Sequence, residues 1–165
     1  MGLDMYLSAK KHFAKINWQA LQANDELSYN SPEAVYPKFN DLLELTQLSN
    51  VATDIYGATV EVTCAYWRKA NQVHAWFVKN VQGGNDNCGE YYVSQNQLQE
   101  LLDLVNRALA ERNPTLLSPQ GGFFFGSTDI DEWYWRDLEN TKTKLERIFA
   151  LPQLSDLSFS YNSSW

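Results

Sequence analysis

The stretch Tyr66-Trp-Arg-Lys-Ala-Asn-Gln-Val-His-Ala-Trp-Phe-Val78 gathers the side chains best suited to chemistry in this 165-residue chain. It offers a cationic pair (Arg68, Lys69), an amide (Asn71), an imidazole (His74) and flat rings. Ala70, Val73, Phe77 and Val81 recur at helical spacing, so the stretch reads as a helix with Arg68 and Lys69 in its first turn. Cations there oppose the helix dipole, at a cost of roughly a few tenths of a kcal/mol each. An anion bound at the helix start would offset that cost. On such a helix Trp67, Asn71 and His74 fall at i, i+4 and i+7 and share nearly one face, with Arg68 beside them. Tyr91, Tyr92, Phe124, Trp133 and Trp135 add more aromatic surface than a core of this size requires, and such rings stack on nucleobases. These residue types point to a site for a nucleotide-like anionic small ligand, formed by Trp67, Arg68, Lys69, Asn71, His74, Tyr91, Tyr92 and Trp133.

Catalysis has weaker support. His74 is the best general-base candidate, because His12 lies beside Lys11 in a weakly patterned segment. No Gly-x-Ser-x-Gly nucleophile motif occurs, and no clustered His and Cys residues offer zinc ligands. Asp129, Asp131 and Glu132 read as helix-starting acids that complement a dipole. Asn85-Asp-Asn87 carries oxygen ligands but not the spacing of a calcium loop. Gly121-Gly122 lacks the lysine of a phosphate-binding loop. Cys64 and Cys88 read as free thiols. No catalytic residue, metal or cofactor is assigned, and an enzyme using His74 is kept only as an alternative.

The net charge is −7. Between Asp25 and Glu61 seven acids (Asp25, Glu26, Glu33, Asp41, Glu44, Asp54, Glu61) face Lys38 alone. A second acidic group holds Asp129, Asp131, Glu132, Asp137 and Glu139. This balance disfavours direct binding to nucleic acid through its phosphates. It suits instead a DNA-mimic-like inhibitor that docks Glu33, Asp41 and Glu44 on a basic groove of a host defence protein. The apolar runs are far shorter than the roughly 18 residues of a membrane span. The Met-Gly-Leu-Asp start lacks the basic-then-apolar pattern of a secretion signal, so the expected location is the cytoplasm.

The elements that must position these groups follow from periodicity. Leu3, Met5 and Leu7 alternate as a strand with those three facing the core. Residues 14–27 hold a short helix or an irregular excursion. Ser31-Pro32 resembles a helix start, Pro37 breaks it, and the main helix is expected over 38–48 with Leu42, Leu45 and Leu48 buried. Residues 50–57 connect it to a strand over 58–66. The organising helix closes at Gly83-Gly84, and 90–93 form a short strand. Ser94-Gln-Asn-Gln97 is a capping box ahead of a helix to about Arg112 that buries Leu98, Leu101, Leu102, Val105 and Leu109. Phe123-Phe-Phe-Gly-Ser-Thr128 reads as a short core strand. Thr128 or Asp129 then caps a last helix burying Leu138, Leu145, Ile148 and Phe149, and Leu157, Phe159 and Tyr161 mark a final strand. The sum is α+β: a small mixed or antiparallel sheet with three or four helices packed mainly on one face, in a single globular domain over 1–165.

Met1-Gly-Leu-Asp-Met-Tyr-Leu7, Tyr66-Trp-Arg-Lys-Ala-Asn71 with His74 and Trp76-Phe-Val78, Glu90-Tyr-Tyr-Val-Ser94, and Gly122-Phe-Phe-Phe-Gly-Ser-Thr128 with Asp131-Glu-Trp-Tyr134 resemble the motifs of a family of small phage and prophage proteins without an assigned activity. The resemblance covers both ends and the centre but not the stretch from Lys10 to Gly57. It implies a protein made during infection in a bacterial host cell, acting against host defence or in phage metabolism. It carries no catalytic residues over to this chain.

Overall fold

Leu3, Met5 and Leu7 are fully buried, at the start of a strand, β1 (Asp4–Ala14), whose intervening side chains stay accessible. The structure, a computed structural model, describes residues 2–29, 31–50 and 55–165. Among these residues the chain order is β1, α1 (Trp18–Ala23), α2 (Pro37–Leu45), β2 (Gly57–Arg68), α3 (Asn71–Asn80), β3 (Tyr91–Val93), α4 (Gln95–Glu111), α5 (Glu132–Phe149) and β4 (Ser158–Ser164). The strands form one antiparallel sheet in the order β2-β1-β4-β3, which makes the fold α+β. β1 and β4 pair from Asp4 opposite Ser164 to Lys10 opposite Ser158, and β3 pairs with β4 from Tyr91 opposite Tyr161 to Val93 opposite Phe159. No helix among the described residues is long and apolar enough to cross a membrane.

The chain divides into two compact units, one of Met1–Lys10 with Glu61–Trp165 and the other of Lys11–Val60. In the first, Ala65, Trp67, Phe159, Tyr161 and Val93 join the β1 residues in a core with Val73 and Phe77 of α3, Leu98, Leu101 and Val105 of α4, and Leu138 and Leu145 of α5. Removing this apolar surface from water is the main term holding the unit together. α4 starts as its sequence dictates. The Ser94 hydroxyl accepts from the Gln97 N–H, and the Gln97 side chain accepts from the Ser94 N–H.

In the second unit the Asn17 side chain caps α1 by accepting from the Ala20 N–H at 3.1 Å. The Asn17 N–H in turn donates to the Ala34 carbonyl at 2.7 Å. Here α2 corrects the expected face. Phe39 and Leu43 are the buried pair, Leu42 is half-buried, and Leu45 is 81% exposed; Leu48, beyond the helix end, is exposed too. An i, i+4 pair with the larger ring at its head sets the inward direction, and that turns the helix by about one residue relative to a leucine count. Asp54, and residues 51–54 of the expected connection, lie outside the described residues, as does Met1.

Three further expectations are corrected in the first unit. Arg68 and Lys69 are not in a helix: alternating burial of Ala65 and Trp67 carries β2 through Arg68, and α3 starts only at Asn71. Lys69 takes the left-handed conformation, φ 60°, which ends the strand without beginning a helix. The opposition of these cations to a helix dipole therefore has no structural basis, nor does a shared helix face for Trp67, Asn71 and His74. The segment 123–128 is a turn and not a strand, with Phe125 buried and Phe123 95% exposed. The cap of α5 is Asp131, which accepts from the Tyr134 N–H at 3.1 Å; Asp129 accepts from the Ser127 hydroxyl instead.

Candidate ligand pocket

The end of β2 and the start of α3 form one wall of a pocket of about 350 Å3, and the segment 119–131 with the first turns of α5 forms the rest. Arg68 and Lys69 present exposed side chains to it. Among the described residues no ion pair joins either cation to a carboxylate. The kink at Lys69 is fixed from both sides: its N–H donates to the Leu3 carbonyl at 2.8 Å, and the Leu3 N–H donates to the Phe124 carbonyl at 3.0 Å. Gly126, at φ +90°, passes over the Lys69 stem, where an added Cβ would make an ordinary contact at 3.4 Å. The positive φ is what favours glycine at this position.

Asn71 shapes the pocket more than it lines it. Its side-chain amide donates to the carbonyls of Phe125 (3.1 Å) and Ser127 (2.8 Å), and its carbonyl oxygen accepts from the Gln120 N–H at 3.2 Å. Both donors and the acceptor are used on loop backbone, in a residue only 2% exposed. Gln72 reaches across to the Tyr134 carbonyl at 3.4 Å. The Tyr134 hydroxyl donates to the Leu117 carbonyl at 2.9 Å, and burial pushes that phenol up to about 12.

On α5, Trp133 is 67% exposed and borders the pocket. Arg136 lies 5.3 Å from its ring but lines a neighbouring hollow. Asp137, one helical turn beyond Trp133, is half-buried in the pocket wall. Burial raises its carboxyl above the usual range, against the opposing effects of a Gln72 hydrogen bond and the Lys144 charge. Burial likewise lowers Lys144, opposed by Asp137. The Lys144 ammonium donates to the Tyr66 carbonyl and stands 5.3 Å from the Trp67 ring. A wider hollow of about 650 Å3 adjoins along α5, but Arg112 there already covers Trp135 at 4.2 Å. The smaller pocket has the better-enclosed polar groups, and it is the stronger candidate for a specific ligand.

Of the residues expected to bind ligand, the pocket gathers Arg68, Lys69, Asn71 and Trp133. Trp67 is 2% exposed in the core, where its indole N–H donates to the Thr141 hydroxyl at 2.9 Å. His74 is fully buried. Its Nδ1 lies 2.7 Å from the Tyr161 hydroxyl and its Nε2 lies 3.0 Å from Asp86, which also accepts from the Trp165 indole at 3.0 Å. Because a carboxylate only accepts, Nε2 carries a proton, and the Tyr161 hydroxyl, which can donate or accept, serves Nδ1. Both ring nitrogens are engaged inside the protein, so His74 ties α3 to the 84–89 loop and β4. Tyr91 and the exposed Tyr92 lie on β3 and take no part in the pocket.

Glu33, Asp41 and Glu44 are exposed in the second unit, Glu33 in a short turn and the other two on α2. The pocket residues missed from the sequence are chiefly Gln72, Ser127 and Asp137. The i, i+4 spacing of Trp133 and Asp137 on an expected helix was the signal that could have found the last. No protein-family model, curated protein or solved structure matches this chain.

Proposed function

We propose that this is a non-catalytic binding protein that takes a nucleotide-like anionic small ligand between the Arg68–Lys69 pair and Trp133. One observation carries the reading: two exposed cations without a carboxylate partner among the described residues and an exposed indole border the same pocket. Anions bind guanidinium and ammonium groups, and bases stack on indole. With the motif resemblance to phage and prophage proteins, the reading extends to counter-defence, in which the protein sequesters a nucleotide signal of the host cell.

Thermal melting with a panel of linear and cyclic nucleotides tests it. A ligand at about 100 times its Kd stabilises the wild type by about 2.7 kcal/mol. The Arg68→Gln, Lys69→Gln variant loses that shift. Without ligand it melts close to wild type, because Gln keeps the Cβ–Cγ–Cδ stem that lies under Gly126, and exposed substitutions change stability by only about 0.5 kcal/mol. If no nucleotide shifts the wild type, the reading fails.

The second reading, an acidic surface docking on a basic host defence protein, is favoured by α2, where Leu45 is 81% exposed on the helix that presents Asp41 and Glu44. Reversing Glu33, Asp41 and Glu44 to lysine removes any salt-sensitive partner recovered from host lysate. An unchanged set of salt-sensitive partners ends this reading.

A further inference from the structure

The pocket that presents Arg68 and Lys69 also presents Asp129, Asp131 and Asp137. Two cations against three carboxylates is a poor host for a purely anionic molecule. Two of the acids have structural duties, since Asp129 accepts from the Ser127 hydroxyl at 2.7 Å and Asp131 caps α5. Asp137 differs from both. It is half-buried in the pocket wall, feels the Gln72 amide and the Lys144 charge, and a carboxylate accepts several hydrogen bonds at once. It stands four residues after Trp133 on α5, so the carboxylate and the indole project from one helix face, with Cβ atoms about 5 to 6 Å apart.

A carboxylate beside a stacking ring discriminates among bases by donor pattern. Guanine presents two adjacent donors, N1–H and the N2 amine, which match the two oxygens of a carboxylate. Adenine and cytosine set a ring-nitrogen acceptor beside their amine, and its lone pair would face the carboxylate. Uracil flanks its single N–H with two carbonyls. Resting on the nucleotide-pocket reading above, we infer that the ligand is a guanine mononucleotide, with its ring on Trp133, its N1–H and N2 amine donating to Asp137, and its phosphate held by Arg68 and Lys69. The volume of about 350 Å3 lies near the lower end of small-ligand pockets, about 300 to 1,000 Å3, and suits one nucleotide better than two.

Isothermal titration of the full chain with GMP, IMP and AMP is the test, on wild type and Asp137→Asn. IMP keeps the N1–H and lacks the N2 amine. Wild type binds GMP at least about tenfold tighter than IMP and prefers IMP to AMP, as a site built around donated hydrogen bonds rejects ligands that lack them. Asp137→Asn loses the preference for GMP and binds AMP at least as tightly as wild type does, with circular dichroism melting to show that it is folded. Should that variant not fold, the wild-type order of the three ligands still decides. Equal binding of GMP and AMP overturns the guanine assignment and leaves the nucleotide pocket standing. A preference for GMP that survives in Asp137→Asn overturns Asp137 as the reader. If none of the three nor any other nucleotide binds, the pocket reading itself has failed.

Discussion

Trp67→Ala lowers the free energy of unfolding by about 3 to 5 kcal/mol, the range for removing a large aromatic side chain from a core. The ring is 2% exposed, lies 6.1 Å from Phe77 and supports Lys144. Its loss leaves a cavity and also deprives the Thr141 hydroxyl of a donor, although that hydroxyl still donates to the Asp137 carbonyl at 2.7 Å. Urea unfolding followed by far-ultraviolet circular dichroism measures the effect. A loss below about 1 kcal/mol would contradict the core position, and so would a variant of wild-type stability that had lost nucleotide binding. Trp67→Phe keeps most of the packing and gives up the hydrogen bond, so it falls between wild type and the alanine variant.

The organisation of the first unit was legible because its signals are local and repeated. Leu3, Met5 and Leu7 announce a half-buried strand, and the Ser94–Gln97 box announces the start of α4. Phe159 and Tyr161 do the same for β4. The boundary at Arg68 was not legible. The apolar positions Ala70, Val73 and Phe77 fit a helix whether it begins at Trp67 or at Asn71, and nothing in the identity of Lys69 signals a left-handed backbone. That single residue turned a supposed helical face of Trp67, Asn71 and His74 into a core tryptophan, a loop clasp and a buried imidazole. The pocket was half legible for a related reason. Its cations and Trp133 stand out by type and Asp137 follows Trp133 by one helical turn, but Gln72 and Ser127 matter only through the proximity of segments far apart in the chain, and spacing within one segment carries no such information.

Asn71→Asp has a comparable effect with almost no change of shape. The side-chain amide donates to two carbonyl oxygens, so a carboxylate in its place turns two hydrogen bonds into repulsions in a site that is 2% exposed. An uncompensated buried charge of this kind costs about 3 to 5 kcal/mol. The introduced carboxyl escapes by binding a proton, after which it can donate to one of the carbonyls. Its folded-state pKa is therefore raised above the unfolded value, the native state binds more protons, and stability relative to wild type is recovered as pH falls. Melting of both proteins between pH 8 and about pH 5 checks the sign; a gap that widens toward low pH would refute the assigned clasp. The same variant weakens nucleotide binding, because the 120–127 segment is no longer held against Lys69.

The pairing of β1 with β4 sets the order in which a ribosome can deliver this fold. The two strands at the middle of the sheet are far apart in sequence, and among the described residues β3 has β4 as its only neighbour in the sheet. Until residues 158–164 have been synthesised, β1 has only β2 beside it and β3 has no strand to join. The inner edge of β1 meanwhile exposes unpaired backbone groups, which are a template for non-native pairing. A nascent chain held at that stage is one for a chaperone to cover, and closing the sheet waits on a contact between residues more than 140 positions apart.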